Sequence, residues 1–267
     1  MSKITVGADP EMFVRRDGKI VHAIGKVGGT KDRPFIVPRG ALQEDNVLLE
    51  FNIDPVSEEN EFVYNINFVM KQGELFVAEH GLKLCPKVSS HIYQDSDLYS
   101  FPESAFQFGC TPDYNALTGE ANESPSAENE CLRTAGGHVH IGFADYLGRP
   151  ITKQDQNLVG LMCDYYMGLP SLLMDDDSLR RELYGKASAI RYKSYGVEYR
   201  TLSNFWIWEE STVRWAYQQA IRAVQDMGRF GELQGILPIQ EVQRVINDND
   251  RVTAKAMLEV LDAAQCQ

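Results

Sequence analysis

Polar and apolar residues alternate through much of the first third of the chain, a pattern typical of β-strands with one buried face. Residues 4–14 alternate, and Asp17 and Gly18 fit a tight hairpin turn. Residues 19–24 are then predicted to form the second strand of that hairpin. Residues 41–53 form another strand candidate, and residues 25–34 before them read as a loop. This region therefore predicts hairpins of antiparallel strands.

A helical spacing of apolar residues begins after Ser57, whose hydroxyl can cap free backbone amides. Glu58 and Glu59 follow, and carboxylates are favourable at the positive end of a helix. Gly81 is expected to end this helix. A second helix is predicted to begin near Thr152, and the sequence beyond Glu209 is helical in pattern.

Further strand candidates lie at residues 82–88, 136–143 and 188–202, the last broken at Tyr195 and Gly196. Between them, residues 94–130 are rich in Pro, Ser, Asn, Asp and Glu and have no sustained period. A loop of this length usually has a functional role or is mobile.

Strands grouped in hairpins, without regular strand-helix alternation, favour an α+β fold with an antiparallel or mixed sheet and helices on one side. The 267 residues are 43% apolar, which suffices for a large core. No repeat or low-complexity tract divides the sequence. We therefore expect one domain over residues 1–267, with a helical C-terminal part from about residue 209 to 267.

Charge and composition exclude several classes of protein. The net charge is -12 and no run of Lys or Arg could neutralise a row of phosphates, so nucleic-acid binding is not expected. No stretch approaches the roughly 20 apolar residues of a membrane span, and Asp9 and Glu11 come too early for a signal segment. The five cysteines lack a C-x-x-C pair. We expect a cytoplasmic protein without membrane contact.

Acidic residues recur at strand positions that share a face. Asp9 and Glu11 are two residues apart, so both carboxylates project from the same side of a regular strand. Glu50 and Asn52 share a face in the same way, while Phe51 is available for the core. Carboxylate oxygens on neighbouring strands are candidate ligands for divalent cations.

Two later segments add imidazoles and cations. His138 and His140 lie on one face of a glycine-flanked strand, where ring nitrogens can bind metal or contact phosphate. A predicted hairpin then carries three cations and one carboxylate: Arg191, Lys193, Glu198 and Arg200. The planar fork of arginine suits phosphoryl oxygens.

Each of these patterns alone has a more ordinary interpretation. Two acids on an isolated strand commonly form a solvated face, and the cations of a hairpin commonly pair with surface acids. Together, however, the segments supply carboxylates, imidazoles and guanidinium groups on separate strands. That combination favours a site that holds divalent cations against the phosphates of a nucleotide.

The order of the four segments resembles the glutamine synthetase and glutamate-cysteine ligase superfamily. In that superfamily a glutamate-bearing strand precedes an E-F/V-N-like strand, a G-x-H-x-H strand and paired arginine segments. Residues 188–191 are similar to its serine-alanine-x-isoleucine-arginine stretch, and residues 198–200 look like its glutamate-x-arginine strand. The resemblance implies a curved antiparallel or mixed sheet of the glutamine-synthetase catalytic type, with helices on the outer face.

The sequence also resembles short phage-encoded amidoligases of the COOH-NH2 ligase type 2 group. Their G-x-D-x-E start, G-C-x-P-D-x-N segment and E-Y-R strand compare with residues 7–11, 109–115 and 198–200. The similarity spans residues 7–205. A phage-encoded protein of this kind would act in the host cytoplasm.

The resemblance implies a role for each residue of the four segments. The implied metal ligands are Glu11, Glu50, His138, Glu198 and Asp9, where Asp9 replaces the glutamate of larger synthetases. Nucleotide contacts are implied for Arg191, Lys193 and His138, and catalytic roles for Arg191, Arg200 and His140.

The implied reaction is ATP-dependent and uses Mg2+. ATP phosphorylates a carboxylate, and an amine of a small molecule or peptide then attacks the acyl phosphate. Residues 109–129 are the candidate loop for excluding water from that intermediate. The alternatives are a guanidino-kinase-like phosphotransferase and a catalytically silent phage structural protein. The G-x-H-x-H strand favours the ligase, while the two substrates and the oligomeric state stay open.

Overall fold

A computed structural model of the chain describes residues 3–106, 112–122 and 131–265. In these ranges the strands are short. They are β1 (Thr5–Met12), β2 (Val14–Arg16), β3 (Lys19–Val21), β4 (Phe35–Val37), β5 (Gly40–Asp45), β6 (Leu48–Ile53), β7 (Lys83–Leu84), β8 (Ser90–Ile92), β9 (Tyr114–Asn115), β10 (Leu132–Thr134), β11 (Gly137–Gly142), β12 (Ala189–Lys193) and β13 (Gly196–Tyr199).

The described α-helices are between 4 and 20 residues long. They are α1 (Glu59–Ala78), α2 (Asp95–Leu98), α3 (Ala144–Leu147), α4 (Lys153–Cys163), α5 (Leu169–Met174), α6 (Arg180–Leu183), α7 (Glu210–Gln225), α8 (Phe230–Ile236), α9 (Ile239–Asn247) and α10 (Arg251–Gln265). A π-helical turn, Asp164–Gly168, joins α4 to α5. Short 3-10 turns are formed by Glu103–Phe106, Asn204–Trp208 and Met227–Arg229.

Eight strands form one sheet in the order β4-β5-β6-β1-β11-β13-β12-β9. Its strand pairs are antiparallel, as expected for hairpins and meanders. Smaller sheets pair β10 with β8, and β2 with β3 and β7. The α+β class with an antiparallel sheet is therefore confirmed.

Helices cover one face of the large sheet. α1 packs on β5 and β6, α7 on β1 and β11, and α4 on β12 and β13. Alternate strand residues such as Val6, Phe51, Ile141 and Val197 turn toward these helices and are buried in the main core. The intervening residues consequently face the opposite side, which is the side that carries the polar side chains of interest.

A second, smaller apolar cluster lies on the polar side of the sheet. It contains Phe13, Leu48, Tyr93 and Leu98, with Phe101 packed against it. Leu48 lies on the same face of β6 as Glu50, Phe13 directly follows β1, and the other three residues come from the segment after β8. The cluster therefore lies beside the polar side chains of β6.

Two predictions are corrected. Residues 41–53 are not one strand but the hairpin β5–β6, which turns at Asn46 with a left-handed φ of 53°. Asparagine tolerates that conformation better than most residues. Residues 94–130 are not wholly irregular, because they contain α2, a 3-10 turn and β9 in their described part. Residues 209–265 are largely helical, whereas the single-domain organisation stays a prediction.

No helix within the described ranges is both long and apolar enough to cross a membrane.

We expect Phe62→Ala to reduce the free energy of unfolding by about 3–5 kcal/mol. Phe62 is 0% exposed, and its ring centroid lies 6.1 Å from that of Trp206 and 5.4 Å from that of Tyr217. Truncation leaves a cavity between α1 and the elements packed on it. Urea denaturation measures the change. Leu75→Ala, at a 54% exposed position of the same helix, is the matched control and should have little effect.

Candidate active site

Strand register brings the polar side chains together. β1 pairs with β11 so that Asp9 lies opposite His138, and with β6 so that Glu11 lies opposite Glu50. In the next pair, His140 of β11 lies opposite Glu198 of β13. Because opposite residues of an antiparallel pair project from the same face, these side chains share the face without helices.

Three of them form a first group of potential metal ligands. One ligand atom each of Asp9, His140 and Glu198 lies within 4.8 Å of the other two. Asp9 Oδ1 and His140 Nε2 are 3.2 Å apart, both buried, and neither makes a hydrogen bond to the described residues. A buried oxygen and a buried nitrogen without hydrogen bonds are costly unless another ligand satisfies them.

Glu11, Asp45 and Glu50 form a second group, also within 4.8 Å of one another. Gly136 donates its backbone N–H to Glu11 Oε2 at 2.6 Å, and Gln43 Nε2 donates to Glu50 Oε1 at 2.8 Å. These donors orient two of the carboxylates. The remaining carboxylate oxygens are ligands of the kind that hard divalent cations bind.

Cations surround the carboxylate of Glu198, whose side chain is only 1% exposed. Arg200 contacts its Oε1, Lys193 Nζ lies 2.7 Å from Oε2, and Arg191 Nη1 lies 3.4 Å from Oε1. Arg200 also approaches His138 Nδ1 at 3.2 Å. The positive groups thus border the first metal group directly.

Burial and neighbouring charges raise the pKa of some carboxylates of the site and lower that of others. Burial and the nearby carboxylate of Asp9 raise the pKa of Glu50 well above its usual range. Burial alone would also raise the pKa of Asp9, but His140 and His138 outweigh it and the pKa falls well below its usual range. Burial opposes ionisation of Glu198 too, yet Arg200 and the imidazoles lower its pKa to about 2.

A cavity of about 320 Å³ opens over these groups. Eight of its lining residues were predicted from the sequence, and Lys31, Gln43 and Asp45 were not; the full lining is Asp9, Glu11, Lys31, Gln43, Asp45, Glu50, His138, Arg191, Lys193, Glu198 and Arg200. A second cavity of about 460 Å³ adjoins it and is lined in part by Asp9, Glu50, His140 and Tyr195. The site is therefore large enough for more than one reactant.

Every residue expected at the site lies on this face of the sheet. The first metal group contains His140, whereas the sequence assigned ligation to His138 and phosphate or substrate contact to His140. His138 Nδ1 lies 3.3 Å from Asp9 Oδ1, so both imidazoles border the same carboxylate. The division of roles between them stays a prediction.

Sequence reasoning missed Asp45, Gln43, Lys31 and Asp113. Asp45 and Gln43 lie on β5, which was not separated from β6, and the three consecutive polar residues 43–45 show no alternation that would assign them to a face. Lys31 comes from a loop and pairs with Asp45 at 2.7 Å. No local pattern identifies a residue of that kind.

The proposed closing loop, residues 109–129, falls partly outside the described residues. In its described part, Asp113 Oδ2 lies 3.4 Å from Arg200 Nε, and Asn122 donates to Asp113 Oδ1 at 2.8 Å. The segment therefore reaches the site through Asp113. Its role as a lid stays a prediction.

We expect Glu50→Gln to change how stability depends on pH. Because the folded pKa of Glu50 is raised, its contribution to stability is complete below the unfolded pKa and is lost as pH rises through the folded pKa. Glutamine stays neutral and can still accept from Gln43. Without divalent metal, the variant should melt above the parent at about pH 9, with a smaller difference near about pH 4.

Thermal melting across this pH range, with a chelator present, provides the measurement. Glu259→Gln, at an exposed position of α10, is the matched control. A Glu50→Gln variant that melts at or below the parent at high pH would contradict the crowding of carboxylates.

One comparison, with known protein families, agrees with the sequence resemblance over a single segment of the chain. Among solved structures, one described as "Apo GmaS without ligand" has 13% identity and a TM-score of 0.44, with 99% of this chain and 70% of that chain covered. A "novel glutamine synthase homolog" has 10% identity and a TM-score of 0.38, with 97% and 71% covered. No curated protein matches the sequence. Residues 132–235 match the family "Phage phiEco32-like COOH.NH2 ligase-type 2", and the expected resemblance to this ligase family is thereby confirmed.

Proposed function

We propose that the protein is an ATP-dependent, magnesium-using carboxylate-amine ligase. The observation that carries the proposal is the juxtaposition, in one cavity, of five carboxylates with the three cations of the β12–β13 hairpin: Asp9, Glu11, Asp45, Glu50 and Glu198 with Arg191, Lys193 and Arg200. His140, Glu198 and the cations belong to the segment that matches the ligase family. The remaining acids come from β1, β5 and β6, which the sheet places beside that segment.

The donor set fits magnesium. Glu11, Asp45 and Glu50 would hold one ion, and Asp9 and Glu198 with His138 or His140 would hold another. Oxygen-rich donor sets suit this cation, and Asp9 Oδ1 and His140 Nε2, which make no hydrogen bond to the described residues, would be available as its ligands. When bound, such ions neutralise phosphate charge and align a carboxylate with it.

The cations of the β12–β13 hairpin suit phosphoryl transfer. Arg191 and Lys193 are partly exposed to the cavity and would bind phosphate oxygens of ATP, while the buried Arg200 would stabilise charge on the transferred group. His140 would contact phosphate or substrate from the neighbouring strand. Arg191, Lys193 and Arg200 line the 320 Å³ cavity, and His140 lines the adjoining one.

The chemistry requires two transfers. A carboxylate oxygen of the substrate attacks the γ-phosphorus of ATP, the bond to ADP breaks, and an acyl phosphate forms. An amine then attacks the acyl carbon, loses one proton, and displaces inorganic phosphate to leave an amide. We propose small-molecule or peptide carboxylates and amines as the substrates.

The experiment that tests this function follows the transfer of a carboxylate oxygen from the substrate to inorganic phosphate. The purified protein is incubated with ATP, Mg2+, amines and a pool of amino acids whose carboxylates carry oxygen-18. The proposal expects ADP, amide products of the corresponding mass, and inorganic phosphate that contains one oxygen-18 atom. Phosphorylated guanidines in a parallel pool would instead establish a kinase, and absence of ADP formation would indicate a catalytically silent protein.

We expect Arg191→Ala to lower the rate of ADP formation by about 100-fold or more, because one donor to the developing phosphoryl charge is lost. Its melting temperature should change little, since Glu198 keeps Lys193 and Arg200 as partners. Arg200→Ala should lose both activity and stability, because it leaves a buried carboxylate without its nearest cation.

Arg244→Ala is the matched control, since this exposed arginine pairs only with helix-surface acids among the described residues. An Arg191→Ala enzyme with normal ADP formation would remove this residue from phosphoryl transfer.

We also expect Mg2+ to raise the melting temperature of the parent protein. At a hundredfold excess over its dissociation constant, one site adds about 2.7 kcal/mol to stability. Glu11→Gln and Glu198→Gln should each gain less, because each removes one ligand from a different group. Glu259→Gln should gain as much as the parent. Equal gains in all four proteins would contradict metal binding at these groups.

A further inference from the structure

A buried carboxylate lies behind the hairpin that carries Arg191, Glu198 and Arg200. Asp164 is 0% exposed and begins the π-helical turn Asp164–Gly168. It lies on the helix-covered side of the sheet, opposite to the cavity. The part of the structure that is described contains no ion pair to Asp164, so hydrogen bonds must satisfy its carboxylate.

Both strands of the hairpin donate to this carboxylate. Before β12, Ser188 donates its backbone N–H to Asp164 Oδ1 at 2.9 Å and its hydroxyl to Oδ2. In β13, Tyr199 donates its hydroxyl to Asp164 Oδ1 at 2.8 Å. Tyr199 lies between Glu198 and Arg200 in sequence, so the attachment point is adjacent to two residues of the site.

The hydrogen bonds to Asp164 coincide with unusual backbone conformations in both the hairpin and the helix. Ser188 has a left-handed φ of 57°, and Gln243 Nε2 also donates to its hydroxyl oxygen at 2.6 Å. The π-turn closes with the Leu169 N–H donating to the Asp164 carbonyl, which inserts an extra residue into the helix. These features are local deviations that the hydrogen bonds to Asp164 hold in place.

Gly168 completes the arrangement. A Cβ atom added there would lie 2.5 Å from the Tyr199 hydroxyl and 3.3 Å from Asp164 Oδ1. The missing side chain therefore makes room for the hydroxyl to reach the carboxylate. The π-turn, the glycine and the two hydroxyls form one fitted contact between helix and hairpin.

We propose that Asp164 is a positioning residue that fixes the open end of the β12–β13 hairpin, and thereby the positions of Arg191, Glu198 and Arg200 in the cavity. The inference rests on the proposed function for the role of these three side chains. At the same end of the hairpin, Arg200 N donates to Ala189 O at 2.8 Å. The hydrogen bonds to Asp164 therefore lie next to the last backbone hydrogen bond between the two strands. The serine of the family-like residues 188–191 thus gains a role, which is to attach β12 to the helix behind it.

The test compares Asp164→Ala, Asp164→Asn and Tyr199→Phe with Ser171→Ala. Ser171 is the matched control because it is buried on the continuation of the same helix and donates to Gly168 O, away from the hairpin. Asparagine keeps an acceptor for Ser188 N and Tyr199, whereas alanine keeps none. Two properties are measured: hydrogen exchange of backbone amides, and binding of a non-hydrolysable ATP analogue with Mg2+.

In Asp164→Ala, amides of β12–β13, including that of Arg200, should exchange about tenfold faster or more, while those of the β5–β6 hairpin stay unchanged. Analogue affinity should fall by about tenfold as well. Asp164→Asn should restore most of both properties, and Tyr199→Phe should reproduce part of the loss without unfolding.

Unchanged exchange of the hairpin in a folded Asp164→Ala or Tyr199→Phe protein would overturn the proposal, as would equally faster exchange throughout the sheet. Ser171→Ala must match the parent, because a loss there would make the effect one of general packing. If the parent protein bound no nucleotide analogue while the hairpin responded selectively, the proposed function would fail and the anchoring of the hairpin would stand.

Discussion

The site depends on the pairing register of β1. This strand lies between β6 and β11, and its alternate residues divide between the helix-covered core and the cavity. A slip of one residue would turn Asp9 and Glu11 into the core and bring Val6 and Met12 to the polar face. The burial of apolar residues therefore fixes the face on which the carboxylates lie, since a slip of one residue would expose the apolar side chains and bury the acidic ones.

That constraint has an electrostatic cost. Burial raises the pKa of Glu11 and of Glu50, so the folded chain holds these carboxylates in an unfavourable environment. Lys31, which pairs with Asp45 at 2.7 Å, offsets only part of this, because Lys193 and Arg200 contact Glu198 and Asp113 instead. The core on the opposite face supplies the stability that tolerates the crowding, which is the usual relation between a polar site and its scaffold.

The sequence predicted the elements of the site better than their connections. Period-two alternation placed Asp9, Glu11, His138 and Glu198 on one face, because a strand exposes alternate residues whatever its neighbours are. It missed Asp45, because the apolar run after Asn46 hid the turn and joined two strands into one. Asp164 could not be found, since its partners are 24 and 35 residues away and only the fold brings them together.

The two groups of candidate metal ligands come from different parts of the sequence. Glu11, Asp45 and Glu50 all precede residue 54, whereas Asp9 shares its group with His140 and Glu198 from the segment that matches the ligase family. Asp9 is thus the member of its group that lies outside residues 132–235. Glu11 lies two residues away on the same strand, so the separation of the two groups is set by the rise of β1. The strand β1 therefore contributes one carboxylate to each of the two groups.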